Sequence, residues 1–314
     1  MISRMEVNGL TVVMYHYIRD FNNSYYPRIN GLEFKDFVGQ IKFLIKNYEI
    51  IEYKALVDHI LFGDPLPKNA CLLTFDDGYA DHFEFALQVL EVNGLKGVFF
   101  PPVDAIMEGR VLSVNKIHYL LAVNQNVDSL VREIEDVFTK TYGTVEQFRS
   151  YVEGIDVGSR FDPPKVILIK RLLQKVLPRN CRDSILDSLF LKYVSSDERS
   201  FAETLYMSKK QLSQISSLGH TVGIHTKTHP WMETLELGEQ CEEIVESRNF
   251  IESISAGKDW AIAYPYGSYN SDTLKAVGDN GGIVGFTTEP ALDNLPIKNP
   301  LEIPRLDTND LPFC

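Results

Sequence analysis

Short apolar segments alternate with amphipathic segments along most of this chain, and this alternation limits the fold more than any other feature of the sequence. We assign buried strands to six apolar runs of four to six residues, at 10–15, 70–75, 97–100, 221–224, 260–264 and 283–286. The segments between them repeat apolar residues at helical spacing, as in the stripe Phe34, Phe37, Ile41 and Leu44. Alternating strands and helices form parallel sheets, so we predict an α/β fold.

The alternation stops between about residues 105 and 205, where the sequence predicts helices and little strand. Two apolar stripes, Leu130–Phe138 and Ile169–Leu177, lie on either side of the break Asp162-Pro163-Pro164. An α/β barrel of roughly 200–250 residues often forms one domain. We therefore predict a single domain over residues 1–314 that is interrupted by a helical insertion at about 105–205.

The charge balance excludes some classes of partner. The net charge is −12, from 31 basic and 43 acidic side chains, and no basic patch stands out, so we expect neither nucleic acid nor an anionic membrane surface as a partner. No uncharged apolar run reaches the ~18 residues of a membrane helix, and the N-terminus lacks the apolar core of a secretory signal. The cysteines, Cys71, Cys181, Cys241 and Cys314, form no CxxC pair. These features predict a cytoplasmic protein with free thiols.

Polar or aromatic motifs follow three of the predicted strands. They are Thr74-Phe75-Asp76-Asp77-Gly78, His225-Thr226-Lys227-Thr228-His229-Pro230 and Ala263-Tyr264-Pro265-Tyr266-Gly267. In parallel α/β folds the functional site lies at the carboxyl ends of the strands. We therefore expect the three motifs to contribute to one site.

Each motif alone allows a structural interpretation as well as a functional one. Adjacent carboxylates at Asp76 and Asp77 repel each other unless a cation binds one and leaves the other as a base; the alternative is a solvated Asp-Gly turn. His225 and His229 can converge on one metal ion, or they can be surface residues of a loop. The turn at 264–267 can offer N–H groups and a flat face to a sugar ring, or it can pack on the core.

Taken together and in this order, the three motifs resemble those of the polysaccharide deacetylase family, also called the NodB-homology or carbohydrate esterase 4 group. The resemblance covers about residues 10–100 and 208–310, and Val13-Met14-Tyr15-His16 is similar to the first strand of one branch of the family. It implies a distorted (β/α)7-type barrel, which agrees with the alternating pattern.

The resemblance also implies roles for the motif residues. Asp77, His225 and His229 would bind one divalent metal ion, usually Zn²⁺, with Co²⁺, Ni²⁺ or Fe²⁺ as alternatives. Three protein ligands leave a position open for water and a substrate oxygen, and Zn²⁺ lowers the pKa of its water to about 7. Asp76 would act as the general base. Substrate and oxyanion contacts would come from the turn residues Tyr264, Pro265, Tyr266 and Gly267, with the backbone N–H of Tyr266 facing the oxyanion.

The sequence departs from the family pattern at the arginine that contacts the catalytic aspartate. Many members carry this arginine at the position of Ala263, where alanine cannot replace it. Arg305, in the segment Ile303-Pro304-Arg305-Leu306-Asp307, is the candidate substitute. Its alternative role is a surface ion pair with Asp307.

A second departure concerns the general acid. Many members place a histidine near the C-terminus for this step, whereas no histidine follows His229 here. His16, at the end of the first predicted strand, is the candidate substitute. It could instead be a hydrogen-bonded core histidine, in which case Asp76 itself would protonate the leaving amine.

The function implied by the resemblance is that of a metal-dependent N-deacetylase, which hydrolyses the acetamido group of an amino sugar. The missing leader favours a nucleotide- or lipid-linked precursor of a surface polysaccharide as the substrate. Two alternatives stay open: a deformylase or other metal-dependent amidase on the same fold, and a catalytically silent sugar-binding protein. The insertion could restrict the site to small substrates, or it could form a homo-oligomer contact.

Overall fold

A computed structural model describes residues 9–124, 126–160, 162–255 and 257–312. The chain divides into two compact units. The described residues of Met1–Asp20, Gly31–Gly109 and Ala202–Cys314 form the first unit, and those of Phe21–Asn30 and Arg110–Phe201 form the second. The second unit overlaps the range of the predicted insertion. It also includes residues 21–30, which the sequence periodicity does not single out.

The strands lie in the first unit. Their bounds are β1 Gly9–Tyr15, β2 Ile18–Arg19, β3 Leu32–Glu33, β4 Glu49–Ile50, β5 Asn69–Asp76, β6 Val98–Phe100, β7 Thr221–Val222, β8 Trp260–Ala263, β9 Gly282–Phe286, β10 Asp293–Asn294 and β11 Leu306–Asp307. Each of the six predicted apolar runs contains a strand. β7 is shorter than predicted, because Ile224 forms an isolated bridge with Ile262 and does not extend the ladder with β6.

Parallel pairing links seven segments in a ring. β1 pairs with β5, β5 with β6, and β6 with β7. The bridge between Ile224 and Ile262 continues from β7 to β8, which pairs with β9. A second bridge, between Phe286 and Ile303, leads towards β11, and β11 pairs with β1. The prediction of an α/β fold is confirmed, and the two isolated bridges are the irregular points of the ring.

Helices follow most of the strands of the first unit. They are α1 Phe34–Asn47, α2 Tyr53–Phe62, α3 Leu87–Val92, α4 Val103–Met107, α11 Lys209–Ser217, α12 Leu237–Glu252 and α13 Ser271–Asp279, and a π-helical segment, His82–Ala86, precedes α3. The second unit contains α5 Ser113–Val123, α6 Val127–Thr141, α7 Val145–Glu153, α8 Pro164–Arg171, a π-helical segment Leu172–Val176, and α9 Arg179–Tyr193. Helix α10, Glu198–Leu205, contains the boundary between the two ranges.

Alternate residues of the central strands pack into two different apolar cores. In β5, Cys71, Leu73 and Phe75 belong to a core shared with the helices, whereas Leu72 belongs to a core built largely from the strands themselves. Side chains along a strand alternate between its two faces. Asp76 therefore lies on the same face of β5 as Leu72, at the carboxyl end of the core that is built from the strands.

The described part of the second unit is helical and contains no strand. Its own core includes Ile134, Phe138, Leu172 and Leu189. Across both units, no described helix is long and apolar enough to cross a bilayer. Three of the cysteines, at positions 71, 181 and 241, are free thiols, and Cys314 lies outside the described residues.

Candidate metal centre and active site

The ends of several strands bring the predicted site residues to one edge of the ring. Asp76 is the last residue of β5, and Asp77 follows it. His225 comes three residues after the end of β7, and His16 comes directly after β1. Arg305 directly precedes β11, next to the bridge that links this segment to β9. The shared strand direction explains why residues far apart in sequence meet at this edge.

Asp77, His225 and His229 form a compact group of buried side chains. Asp77 Oδ1 lies 3.2 Å from His225 Nε2 and 3.3 Å from His229 Nε2. The three potential ligand atoms all lie within 4.8 Å of one another. One carboxylate and two imidazoles at this spacing match the ligand set of a catalytic divalent-metal site.

The protonation states of these groups also fit a bound cation. His225 Nδ1 lies 2.7 Å from the Ala263 carbonyl oxygen, so Nδ1 carries the proton of the neutral ring and Nε2 presents a lone pair to Asp77. Asp77 Oδ1 is buried and has no hydrogen-bond partner among the described residues. Buried acceptors that face one another are costly without a positive charge between them. The three residues therefore fit a divalent metal ion.

Opposing effects set the charges of the group. Burial would raise the pKa of Asp77, but contacts with His225 and His229 hold it well below its usual value. Burial lowers the pKa of His229, and this effect outweighs the attraction of Asp77. Burial also lowers the pKa of His225, but the Asp77 and Asp76 carboxylates raise it by more. A proton would therefore compete with any metal ion bound at His225 Nε2.

Backbone strain is concentrated in the site motifs. The positive φ angles of non-glycine residues, among those described, are 69° at Asp77, 62° at Thr226, 59° at His229 and 59° at Tyr266. Such conformations cost on the order of 1–3 kcal/mol each and persist where the surrounding structure holds them. The fold, and not local preference, therefore fixes the backbone at two of the three potential ligands.

The glycines of two motifs have a steric explanation. Gly78 has a φ of +65°, and a Cβ atom there would lie 2.9 Å from Pro101 Cβ. Gly267 has a φ of +67°, and a Cβ atom there would lie 2.2 Å from Thr288 Oγ1. A side chain at either position would strain the turn and push against a neighbouring residue.

Arg305 pairs with Asp76 through both terminal nitrogens of its guanidinium group. Nη1 donates to Asp76 Oδ1 at 2.8 Å, and Nη2 donates to Asp76 Oδ2 at 2.7 Å. Nε donates to the carbonyl oxygen of Thr287 at 2.9 Å, and Nη1 also donates to Thr74 Oγ1 at 3.1 Å. The Arg305 side chain is fully buried. Its interpretation as a surface ion pair with Asp307 is therefore wrong.

This pairing controls the charge of Asp76. Burial alone would raise the pKa of Asp76, but the charges of Arg305 and His225 lower it below its usual value. Asp76 is therefore ionised at neutral pH. It lies directly beside the potential metal ligand Asp77 and has its own cationic partner.

His16 is close to Asp76 and partly accessible. Its Nε2 atom lies 4.0 Å from Asp76 Oδ2, and its side chain is 39% exposed. Its backbone carbonyl accepts a hydrogen bond from His82 Nε2 at 2.8 Å. Burial lowers the pKa of His82 to about 4, so this ring is neutral and can donate from Nε2. The alternative interpretation of His16 as a core histidine is wrong, because its imidazole is not buried.

The turn after β8 places its two tyrosines in different environments. Tyr264 is fully buried, and its hydroxyl donates to the Leu301 carbonyl oxygen at 3.0 Å. The predicted substrate contact by this ring is therefore wrong, and Tyr264 anchors the turn to the core. Pro265 is buried as well, whereas Tyr266 and Gly267 are half-buried.

Trp231 is a site neighbour that the sequence analysis missed. Its ring stacks on that of Tyr266, with 4.6 Å between centroids and 7° between planes. Tyr266 also meets the ring of His229 edge to face, with centroids 4.7 Å apart. The position of Trp231, two residues after the second histidine of the motif, was the available signal in the sequence.

Two further residues support the potential ligands. The Tyr79 hydroxyl donates to Asp77 Oδ2 at 2.6 Å, which leaves Oδ1 to face the histidines. Glu243 accepts hydrogen bonds from the loop between the two histidines. Tyr79 follows the Asp-Asp-Gly motif directly, so its position was a signal. Glu243 belongs to an acidic helix in which the sequence does not indicate the inward-facing residue.

Comparison with known proteins finds similarity to polysaccharide deacetylases in sequence and in structure. The sequence model of a family described as polysaccharide deacetylase matches residues 192–282, which include the second and third motifs. The Bacillus subtilis (strain 168) protein YxkH, whose assignment as a polysaccharide deacetylase is provisional, is 22% identical over 283 residues. That alignment covers 90% of this chain and 65% of YxkH, so the chain spans about two thirds of the length of this relative.

Solved structures share the fold. The Streptococcus pyogenes deacetylase PplD, in complex with acetate, superimposes with a TM-score of 0.54 at 16% identity, over 95% of this chain and 92% of PplD. A de-N-acetylase from Aggregatibacter actinomycetemcomitans gives a TM-score of 0.56 at 14% identity, over 95% of each chain. IcaB from Ammonifex degensii gives 0.55 at 16% identity, over 95% of this chain and 91% of IcaB. The predicted distorted (β/α)7-type barrel is confirmed at the level of the fold.

Proposed function

We propose that this protein is a metal-dependent hydrolase that removes an acetyl group from the nitrogen of an amino sugar. The chain resembles the polysaccharide deacetylase family in sequence and in fold, which supports this proposal. One observation carries the proposal. Three potential metal ligands face one another, and the adjacent carboxylate of Asp76 is held by a buried arginine.

The metal would be held by Asp77 Oδ1, His225 Nε2 and His229 Nε2. We expect Zn²⁺, with Co²⁺, Ni²⁺ or Fe²⁺ as alternatives, because imidazole and carboxylate ligands suit these ions. A divalent ion at this position supplies Lewis acidity, which polarises the acyl carbonyl and makes water easier to deprotonate. Tyr79, through its bond to Asp77 Oδ2, fixes the orientation of the carboxylate ligand.

The remaining side chains would handle protons and charge. Asp76 is ionised and accepts the proton of the attacking water, while Arg305 holds both of its oxygens in a fixed direction. His16, 4.0 Å from Asp76 Oδ2 and partly accessible, would deliver a proton to the leaving amine. The backbone N–H of Tyr266 would face the developing oxyanion, a contact typically worth about 3–4 kcal/mol in such sites.

The finer identity of the substrate stays a prediction. We propose an acetylated amino sugar in a nucleotide- or lipid-linked precursor of a surface polysaccharide. The cytoplasmic location and a homo-oligomer contact through the helical insertion also stay predictions. The half-buried, stacked pair of Trp231 and Tyr266 supports a sugar substrate, because aromatic rings beside the reacting centre suit the apolar face of a pyranose.

Product analysis tests the proposed reaction. The protein loaded with Zn²⁺ should release acetate, and leave a free amine, from N-acetylated amino sugars offered as nucleotide-linked, lipid-linked and oligosaccharide forms. The matching N-formyl compounds separate a deformylase from a deacetylase. Release of formate but not acetate would contradict the proposal, and binding of the sugars without any release would favour a silent sugar-binding protein.

A second prediction concerns the metal ligands. His229→Ala should lose bound metal first and activity as a consequence, because it removes one of the three potential ligand atoms. Metal content after dialysis against buffered Zn²⁺ measures the effect, and we expect it to fall by about tenfold or more. His59→Ala is the matched control, since this half-buried histidine of α2 forms a hydrogen bond with the Asp64 carbonyl oxygen at 2.7 Å and does not belong to the group of potential ligands. Full Zn²⁺ occupancy in His229→Ala would exclude His229 as a ligand.

A further inference from the structure

Glu243, on helix α12, holds the loop that carries both histidines. Its Oε2 atom accepts hydrogen bonds from the backbone N–H groups of Lys227 and Thr228 at 2.7 and 2.8 Å. Its Oε1 atom accepts the hydroxyl of Thr228 at 2.6 Å. Glu243 is 8% exposed, and these three bonds use both of its carboxylate oxygens.

The loop needs such support, because its local conformation is unfavourable. Thr226 and His229 both have left-handed backbones, with φ angles of 62° and 59°. The loop is also held on a second side, where Val103 and Asp104 at the start of α4 donate their N–H groups to the carbonyl oxygens of Thr226 and Lys227 at 3.3 and 3.0 Å. Within the loop, Thr226 Oγ1 accepts the N–H of His229 at 3.1 Å.

We propose that Glu243 is a positioning residue for the metal centre: it fixes the loop between His225 and His229, and thereby sets the affinity for the metal ion. The proposal rests on the metal site of the proposed function but adds a residue that touches neither the ion nor the substrate. Hydrogen bonds from N–H groups to a buried carboxylate are strong, and the loop they hold is short. A loop released at residues 227 and 228 would let His229 turn away from Asp77.

The test compares two substitutions of Glu243. Glu243→Met keeps the length of the side chain but removes every acceptor, so we expect Zn²⁺ to bind about 10–100-fold more weakly, the loss typical for supporting residues of metal ligands. Glu243→Gln keeps an amide oxygen for the two N–H groups, and its NH₂ group can donate to the Thr228 hydroxyl. Zn²⁺ affinity of Glu243→Gln should therefore stay within a few-fold of the original protein.

Glu242→Met is the matched control. Glu242 is adjacent on the same helix, its side chain is 69% exposed, and its Oε1 atom lies 3.7 Å from the ammonium nitrogen of Lys227. Its replacement should leave Zn²⁺ affinity unchanged. Calorimetric titration of the metal-free proteins gives the affinities, and the absorption spectrum of the Co²⁺-loaded proteins reports the geometry of the ligands.

Thermal unfolding of the metal-free proteins separates positioning from general stability. If Glu243→Met does not fold, the test uses Thr228→Val instead. This substitution removes only the hydroxyl bond to Glu243, and we expect it to weaken Zn²⁺ binding by a few-fold. Unchanged Zn²⁺ affinity and an unchanged Co²⁺ spectrum in a folded variant would overturn the positioning role and leave the proposed function intact. Failure of the original protein to bind any divalent ion would overturn both.

Discussion

Asp76→Asn should keep its metal ion and lose most of its turnover. The substitution removes the carboxylate that we assign as the general base, whereas the three facing donor atoms belong to Asp77, His225 and His229 and remain in place. General acid–base groups typically contribute about 10²–10⁴-fold to a rate. We therefore expect the turnover number to fall by about this factor, while metal content and the Michaelis constant change little.

Asp293→Asn is a suitable control for this experiment. Asp293 pairs with Leu10 near the start of β1, at the opposite end of that strand from His16. The same chemical change at this position should leave turnover unaltered. If Asp76→Asn also emptied the metal site, Asp76 would be a ligand, and the division of labour between the two adjacent carboxylates would be wrong. Turnover within a few-fold of the original protein would exclude Asp76 as the base.

The sequence predicts the roles of some site residues well and those of their neighbours poorly. Asp77, His225 and His229 follow apolar runs, and parallel strands bring such positions to one edge, so pattern alone indicated their meeting. The same logic failed for Tyr264. Its position at a strand end suggested exposure, but its ring turns into the core and its hydroxyl bonds to Leu301, a partner 37 residues away.

The supporting residues depended on tertiary contacts that no local pattern reveals. Arg305 lies 229 residues from Asp76 along the chain, so only the missing arginine at position 263 directed attention to it. Glu243 is one of several acidic residues of α12, where Glu242 next to it is exposed. Which of two adjacent glutamates faces the loop depends on the rotation of the helix against that loop. The sequence contains no signal for this rotation.

Backbone strain at the site also depends on tertiary contacts. Asp77, His229 and Tyr266 adopt backbone conformations that their own side chains disfavour. Buried partners offset this cost, among them Tyr79 for Asp77 and the Leu301 carbonyl for the turn of Tyr264. The buried partners therefore hold the donor atoms of the site in position before any ligand binds. This limits the reorganisation that the reaction would require.

Arg305→Met should destabilise the protein strongly and change how its stability depends on pH. Arg305 is fully buried and is the bidentate partner of a buried carboxylate. Removing one partner of a buried ion pair costs about 3–5 kcal/mol, because the other charge stays buried without compensation. Denaturant unfolding of the metal-free protein at pH 7 measures this loss. Arg179→Met, which removes an exposed arginine 3.9 Å from Asp183, should cost about 1 kcal/mol or less.

The pH dependence distinguishes lost charge compensation from lost packing. In the original protein the pKa of Asp76 is lowered in the folded state, so its contribution to stability is present above the unfolded pKa and is lost as pH falls through the folded pKa. Without Arg305, burial dominates and the pKa of Asp76 rises above its usual value. The stability difference between the two proteins should therefore start to shrink as pH falls through the raised pKa of the variant, above about 4, and should continue to shrink towards the lowered pKa of the original protein. The acid limb of turnover should move to higher pH. A difference that stays constant from pH 7 to pH 3 would mean that Arg305 acts by filling space, and that Asp76 owes its charge to another group.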